Sequence, residues 1–447
     1  MRVPAPSRLR AILADTRPLR HPDFRRLWVA YIITTIGAQL TVVSVPAQIW
    51  AITRDSGYVG LTGLFGLVPL VIFGLWGGAV ADAFDRRAVL MVSTIGLIVL
   101  GFLFFLQAWL GWNNVWVILG LFAAQQAFFG LNSPARMAIL PGLVGKDELP
   151  AANALNTTVM TFGGIAGPLL GGTLIPVLGF ALLYLVDALF LLATLYAVLK
   201  LGPMRPVAGE GTKRSVGLKS VAEGLKYTLA NRIILMSFVV DLIAMVLGMP
   251  RILIPQIANV DFGGPVEGGW RLAVLFAAMP AGAFLGGVMS GWVSRVERQG
   301  RAVVLAIIGW GLAMAGFGAA VWLAGGQVWP WFWVAVVFFA LGGTADMVSA
   351  AFRQTMLLQA ASDEVRGRIQ GVFIVVVVGG AAGGRRHPRE AGGLDRRRPD
   401  RGSRWCAGGG RHHPRGGPGA SVLALSGHAF VGRLISRRGG RRRGRRR

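Results

Sequence analysis

Residues 163–172 read Gly163-Gly164-Ile165-Ala166-Gly167-Pro168-Leu169-Leu170-Gly171-Gly172, within a long apolar run. On a helix, two adjacent rows carry almost no side chains: Gly163, Gly167 and Gly171 form the first, and Gly164, Pro168 and Gly172 the second. A second helix can approach such a face closely, and Pro168 favours a bend because it lacks an N–H. A stretch this rich in glycine disfavours a helix in water but is tolerated in a membrane, where neighbouring helices cover it. It therefore predicts a hinge-like packing face on a membrane helix.

The composition also indicates a membrane protein. Hydrophobic residues make up 54% of the 447 residues and charged residues 15%, and apolar runs longer than 20 residues recur. The single cysteine, Cys406, excludes an intramolecular disulfide framework and any cysteine-cluster metal site. No Ser/His/Asp set, P-loop or nucleotide-binding fingerprint occurs in a suitable context, so we expect neither an enzyme nor a cofactor, with a proton gradient as the energy source.

The apolar runs predict an all-α polytopic membrane protein. Ten complete spans and the start of an eleventh can be placed: Leu27–Ile52, Tyr58–Ala81, two in Ala88–Ala135, two in Leu149–Leu199, Ile233–Ile257, Leu272–Ser294, two in Ala302–Ala345, and the beginning at Ile369–Gly384. The polar turn at 111–114 divides the first long run, and Pro176–Gly179 divides the second.

An internal repeat organises these spans into two halves. Val45-Pro46-Ala47 matches Ile254-Pro255-Gln256 at an offset of 209 residues, and Gly78 matches Gly287 at the same offset. We therefore expect two pseudo-repeated six-helix halves, a 12-helix plan whose C-terminal half is incomplete in this sequence.

Charge marks the sides of the membrane and the domain limits. Charged loops alternate with uncharged turns, and by the positive-inside rule the charged N-terminus is expected on the cytoplasmic side. The sequence thus predicts a multi-pass protein of the inner (cytoplasmic) membrane. The expected segments are a basic N-terminus (1–26), the first half (27–199), a cytoplasmic linker with an amphipathic helix (200–232), the second half (233–380) and an Arg/Gly-rich tail (381–447).

The tail accounts for most of the unusual charge. It holds 19 Arg, no Lys and 3 acidic residues, and so contributes +16 of the net +26. Arg-rich tails can bind nucleic acid or acidic lipid. A frameshift near Val378–Gly384 in GC-rich DNA is the interpretation we favour, because a shifted frame there yields Arg, Gly and Pro.

The loop after the second span, 78–87, carries Gly78, Asp82, Arg86 and Arg87. A carboxylate and a guanidinium across a tight turn can form a charge-assisted pair, so these residues predict a cytoplasmic loop latch that opens in one conformation. The alternative is that the charges only set the topology.

Both stretches resemble signatures of the major facilitator superfamily. The loop at 78–87 is similar to its short-loop signature, although Asp85 stands where Gly is usual, and 163–172 resembles its antiporter signature in the expected fifth span. Further similarity, over about residues 20–380, is to the branch of enterobactin-type siderophore exporters and drug exporters, at 21–28, 133–136, 148–156 and 352–354. The resemblance implies a two-half transporter. Antiporters of the superfamily commonly carry in span four an Arg that is tied to proton release. In this sequence residues 123–126 occupy that region without an Arg, and the first Arg after it is Arg136.

Three acids lie within spans and are candidates for proton coupling: Asp187, Asp241 and Asp346. A central Asp costs about 2.5–3.5 kcal/mol to insert, so such residues usually face a cavity and have a use. The alternative for each is a hydrogen-bonded structural acid or one that reaches water at a helix end. Four amides are candidate contacts in a substrate cavity, or else interhelical hydrogen bonds: Gln39, Gln125, Gln126 and Asn132.

The leading functional hypothesis is a secondary active transporter that exports amphipathic small molecules, siderophores or drugs, by proton antiport and alternating access. The expected partners are a small-molecule substrate and membrane lipid, with no nucleic acid, and the expected state is a monomer. Two alternatives stay open: a truncated, transport-inactive membrane remnant, and a membrane-tethered protein acting through its basic tail.

Overall fold

The computed structural model describes residues 15–145, 147–204, 236, 250–290, 296, 299–325 and 328–360. Every regular element in these ranges is helical, and eight helices there are long and apolar enough to cross a membrane: α1 (Pro22–Thr53), α2 (Ser56–Ala83), α3 (Arg86–Trp109), α4 (Val115–Leu143), α5 (Leu149–Leu199), α6 (Trp270–Val288), α7 (Gln299–Ala324) and α8 (Trp331–Ala360). Short helical turns at Arg17–Arg20, Pro250–Leu253, Ile254–Gln256 and Ile257–Asp261 complete the described elements. The linker at 205–232, the eleventh span and the tail lie outside the described residues.

Helix α5 contains two membrane spans. Its 51 residues extend about 76 Å at 1.5 Å per residue, roughly twice the thickness of a bilayer core. Non-helical backbone angles occur inside it at Gly179, with φ 69° and ψ 171°. A left-handed φ of this kind strains any residue with a Cβ. The division predicted at Pro176–Gly179 is therefore confirmed, and the break in helical angles lies at Gly179, whereas Pro168, where a bend was favoured, keeps helical angles.

Side-chain caps begin three of the helices. Asp55 accepts a 2.7 Å hydrogen bond from the Gly57 N–H before α2, and Asn114 accepts one of 2.9 Å from the Trp116 N–H before α4. Asp85 does the same for α3, accepting 2.9 Å from the Arg87 N–H. Each cap satisfies a backbone donor that the first helical turn leaves unpaired, so the polar residues between apolar runs fix where the spans start.

The helices are apolar on both sides, as membrane helices are. On α3, Leu90, Leu97 and Phe104 are buried against α4 and α5. The opposite face exposes large apolar side chains at helical spacing, including Val99 and Leu106, and such a surface is compatible with lipid rather than water. Trp109 at the end of α3 is 66% exposed, the position of an interfacial aromatic.

Packing joins the first six spans and connects them to the second half. Helix α1 packs against α5, α2 against α4, and α3 against both α4 and α5. In the second half, α6 and α7 each pack against α8. The α5–α6 contact is the most extensive contact between the halves in the described ranges.

Candidate functional site

The first glycine row of α5 faces α1. An added Cβ on Gly167 would lie 2.9 Å from the Gln39 Cγ and still closer to the Gln39 Cβ, and one on Gly163 would overlap the methyl group of Thr35. Real Cβ atoms do not approach other atoms so closely, so only glycine permits this helix separation. The row predicted from the sequence is therefore the surface on which α1 and α5 meet within the first half.

The second glycine row faces α6 of the other half. An added Cβ on Gly172 would lie 2.6 Å from the Ala273 Cα, and the Gly172 carbonyl accepts a 2.8 Å hydrogen bond from the Gly269 N–H. Gly164, on the same row, lies opposite Pro280. Because backbone meets backbone here, α5 touches both halves of the protein through one glycine-rich stretch.

Asp187 is buried between α1 and α5, with 2% of its surface exposed. One carboxylate oxygen accepts a 2.5 Å hydrogen bond from the Thr41 hydroxyl, and the other would be 2.7 Å from a Cβ added to Gly37. The structure thus places this candidate among packed helices, with a hydrogen-bond partner that the sequence did not indicate. A buried charge needs such compensation or a proton.

A second buried polar group lies one turn from Asp187. The Tyr184 hydroxyl donates 2.8 Å to the Gln48 side-chain oxygen, and the amides of Gln48 and Gln107 exchange hydrogen bonds of 3.2 and 3.3 Å. These three side chains link α5, α1 and α3. Neither Gln48 nor Tyr184 was a sequence candidate, and the only available signal was a polar residue inside an apolar span.

The four candidate amides do not form one cluster of hydrogen bonds. Asn132 is buried and donates 2.8 Å to the Ser93 hydroxyl and 3.3 Å to Thr94, which makes it an interhelical link between α4 and α3. Gln125 is buried in α4, and Gln126 beside it is partly buried. Gln39 is partly buried against the first glycine row.

The other two candidate acids lie in or beyond the second half's described helices. Asp346 is partly buried in α8. Asp241 lies outside the described residues. The geometry of a possible coupling group is therefore fully described only at Asp187.

The loop between α2 and α3 places its two arginines on helix ends. Helix α2 ends at Ala83, one residue after Asp82, and Arg86 begins α3. Arg86 donates 2.8 Å to the Ala138 carbonyl near the end of α4, and Arg87 donates 2.9 Å to the Leu199 carbonyl at the end of α5. Cations at helix C-termini complement the helix dipole and bind its free carbonyls. The side chain of Asp82 and the surroundings of Gly78 lie outside what the structure describes, so the loop latch predicted from these residues stays a prediction.

The same loop is also tied to the chain that follows α5. The Asp85 carboxylate accepts 3.1 Å from the Met204 N–H as well as capping α3, and the Arg86 N–H donates 3.2 Å to the Met204 carbonyl. Asp85, the departure from the usual signature, is therefore a structural acceptor for two backbone donors.

The halves also meet at the end of the bundle opposite the start of α1. Asn259 accepts from the Trp50 indole N–H at 3.4 Å and from the Arg54 guanidinium at 3.2 Å, and it donates 2.7 Å to the Gly264 carbonyl. This bridge joins the end of α1 to the helical turn at Ile257–Asp261. Sequence reasoning did not select Asn259.

The proteins of similar sequence include bacterial exporters of enterobactin. Enterobactin exporter EntS from Shigella boydii is 29% identical over 355 residues, which is 79% of this chain and 81% of that protein. The exporter of the same name from Escherichia coli is 28% identical over 360 residues, with the same coverage.

Solved structures show the same fold at low identity. A bacterial homolog of the human lysosomal transporter Spinster matches with a TM-score of 0.60 at 18% identity, covering 83% of this chain and 82% of that one. The nucleoside transporter NupG matches with a TM-score of 0.63 at 14% identity, covering 81% and 89%.

The sequence model of one family, described as transmembrane secretion effector, matches residues 14–387. That range includes both halves and every described helix. The all-helical two-half fold expected from the spans and the repeat is thereby confirmed, and the protein is a multi-pass membrane transporter rather than an enzyme. The chain belongs to the transmembrane secretion effector family of the major facilitator superfamily.

Proposed function

We propose that this protein exports siderophore-like amphipathic molecules from the cell by alternating access, driven by proton antiport. The named activity of its relatives, enterobactin export, supports the siderophore class of substrate. The observation that carries the alternating-access part is the glycine stretch of α5, which contacts α1 on one row and α6 of the other half on the next. The substrate binds between the halves, and the protein acts as a monomer in the cytoplasmic membrane.

The absence of side chains at this contact favours rocking of the halves. Interlocked side chains resist sliding, because each must leave the pocket that its neighbours form. At Gly172 and Ala273 the contact is made by backbone and a methyl group, so a small rotation disturbs few side chains. The hydrogen bond from the Gly269 N–H to the Gly172 carbonyl keeps the two segments together at one point, which serves as a pivot.

Proton coupling is assigned to Asp187. An ionised carboxylate in a dry interior is costly, and one hydrogen bond from the neutral Thr41 hydroxyl compensates only part of that cost. Because Thr41 is on α1 and Asp187 is on α5, movement between these helices changes the carboxylate's environment, and with it the free energy of holding a proton. This coupling of position to protonation is what an antiporter requires.

The cytoplasmic placement of the N-terminus belongs to the same proposal. Arg17, Arg20, Arg25 and Arg26 surround the start of α1, and Arg86 and Arg87 lie at the α2–α3 loop on the same side of the bundle. Positive charge of this kind is retained on the cytoplasmic side. A reporter enzyme active only in the cytoplasm, fused to the N-terminus, should be active, and the same reporter inserted in the turn at 111–114 should be inactive.

Uptake into inverted membrane vesicles tests transport and coupling together. With an acidic vesicle lumen, the wild-type protein should accumulate labelled enterobactin, and a protonophore should stop accumulation. Asp187→Asn should abolish gradient-driven accumulation but keep exchange of labelled for unlabelled substrate, since the amide still accepts from Thr41. Asp23→Asn, an acid paired with Arg26 at the start of α1, is the matched control and should behave as wild type.

Two results would contradict these assignments separately. Undiminished, protonophore-sensitive accumulation by Asp187→Asn would remove Asp187 from the coupling. No accumulation and no exchange by the wild-type protein, in membranes where its presence is verified, would remove the export function for this substrate.

A further inference from the structure

A small cleft between α1, α4 and α5 contains two unusual polar groups. It lies near the start of α1 and is lined by Trp28 and Tyr31 from α1, Arg136 and Leu140 from α4, and Asn156 from α5. The remaining walls are apolar. None of these residues belongs to the glycine stretch, the loop at 78–87 or the Asp187 group.

The first unusual group is the guanidinium of Arg136. Its Cζ lies 4.6 Å from the centroid of the Tyr31 ring, so the cation covers the face of an aromatic side chain. The ion pairs found among the described residues involve other side chains, and no hydrogen bond from Arg136 is found there. A cation with five N–H donors is thus held in place by an aromatic ring, which leaves its donors for an acceptor.

The second group is the indole N–H of Trp28, which is buried without a hydrogen-bond partner among the described residues. A buried donor left unpaired costs free energy, so its retention at a cleft indicates an acceptor that comes and goes. Trp28 and Tyr31 are three residues apart and share a face of α1, opposite Arg136 of α4. Trp28 and Arg136 therefore line the same cleft.

We propose that this cleft is a subsite for the anionic oxygen group of the transported molecule, such as a carboxylate, bound by Arg136 and Trp28. Arg136 supplies a fixed positive fork, and the Trp28 N–H supplies one further donor. The cleft has a volume of about 20 Å³, which admits an oxygen group but not a ring, so the aromatic or alkyl body of the bound molecule lies outside it, against the apolar residues at its rim. This inference rests on the proposed function, because it names the substrate class at one end of the transport path: amphipathic anions. The phosphodiester group of an anionic lipid offers the same chemistry, and the experiment separates the two sources.

Equilibrium dialysis on the purified full chain tests the subsite without requiring transport. The probes are salicylate, an aromatic anion, and salicylamide, its nearly isosteric neutral partner, with the protein in nanodiscs of zwitterionic lipid. We expect the wild-type protein to bind salicylate more tightly than salicylamide. Arg136→Gln should weaken salicylate binding by about 10-fold to 100-fold, the usual effect of removing a charged hydrogen-bond donor, and leave salicylamide unchanged.

Two further variants protect the test against misfolding. Arg136→Lys keeps the positive charge but loses the forked pair of guanidinium donors, and it should weaken salicylate binding less than Arg136→Gln does. Trp28→Phe keeps an aromatic ring but removes the N–H donor, and it should weaken salicylate binding by a few-fold. Arg25→Gln removes an exposed charge from the same end of α1 and is the matched control, with unchanged binding expected.

The outcomes separate the subsite from the transport hypothesis. Equal affinity of the wild-type protein for salicylate and salicylamide, or unchanged salicylate binding by Arg136→Gln, overturns the subsite even if vesicles transport enterobactin. Arg136-dependent salicylate binding supports the subsite even if transport is absent, which would count against the export function alone. Loss of salicylate binding when phosphatidylglycerol replaces the zwitterionic lipid supports an anion site and identifies lipid as its occupant.

Discussion

The indole N–H of Trp50 donates a 3.4 Å hydrogen bond to the side-chain oxygen of Asn259, and the two residues are 209 positions apart. That separation equals the offset of the internal repeat, so Trp50 and Asn259 occupy equivalent places in the two halves. Equivalent residues can meet only near the pseudo-two-fold axis that relates the halves. The contact therefore marks where this axis passes through the end of the bundle opposite the start of α1.

The first prediction concerns this contact. If export requires alternating access, the ends of the halves at Trp50 and Asn259 must separate in every cycle. A short bis-maleimide that links Trp50→Cys to Asn259→Cys, in a Cys406→Ser background, should stop enterobactin uptake into inverted vesicles. A cross-linker with a cleavable disulfide should restore uptake after reduction.

A pair within one half provides the control for cross-linking. Tyr58 and Trp116 lie at the same end, with ring centroids 6.4 Å apart, and both belong to the first half. Linking Tyr58→Cys to Trp116→Cys should leave uptake intact. Full uptake by a completely cross-linked Trp50–Asn259 pair would show that these ends do not need to separate.

The second prediction concerns Thr41. Thr41→Val is similar in shape but leaves the buried Asp187 carboxylate without its hydroxyl donor, which should lower stability by about 1–3 kcal/mol. The fall should appear as an earlier thermal transition of the purified protein in detergent. Thr41→Ser should restore most of it. Thr157→Val removes an exposed hydroxyl of α5 that bonds only its own helix, and an equal fall there would contradict a specific role for Thr41.

The third prediction concerns the contact between the halves. Gly172→Ala introduces a Cβ that would lie 2.6 Å from the Ala273 Cα, so the helices must move apart, at a cost of about 1–3 kcal/mol. We expect lower thermal stability and slower uptake in vesicles. Gly120→Ala, in a helix where an added Cβ meets nothing within 4 Å, should be neutral or slightly stabilising. Identical behaviour of the two variants would mean that the close approach at Gly172 is unimportant.

The fourth prediction concerns Asp85. Asp85→Ala removes the cap of α3 and the acceptor for the Met204 N–H, and should cost about 1–2 kcal/mol. Asp55→Ala removes a cap without a second backbone partner in another segment and should cost less. Denaturant titration of both variants checks the order, and a larger loss for Asp55→Ala would contradict the double role of Asp85.

The spans and the glycine rows could be predicted from the sequence because both are local and periodic. Charge-free length fixes a crossing helix, and the spacing of Gly163, Gly167 and Gly171 fixes one face whatever it packs against. The break near Gly179, which divides the apolar run of α5 into two spans, could also be predicted, since Pro176 and Gly179 both disfavour a continuous helix.

The hydrogen-bond partners could not be predicted in the same way. Thr41 and Asp187 are 146 residues apart, and which polar side chain faces which depends on the rotation of each helix about its axis. The repeat offset of 209 residues relates Trp50 to Asn259, so their equivalence could be read from the sequence, although their contact could not. The sequence also could not show that Arg86 and Arg87 donate to the carbonyls of Ala138 and Leu199, because the backbone carbonyls that two helices bring within reach cannot be identified from residue types.

If the halves move against each other as proposed, the two hydrogen bonds that hold Met204 to Asp85 and Arg86 determine where the first half is pulled. A chain fastened at a point transmits tension to that point rather than to the end of the helix before it. Tension along the connection between the halves is therefore delivered to the start of α3 and the turn after α2, and only secondarily to the last turn of α5. On this geometry, the length of the connecting segment matters less than the strength of its attachment at Asp85.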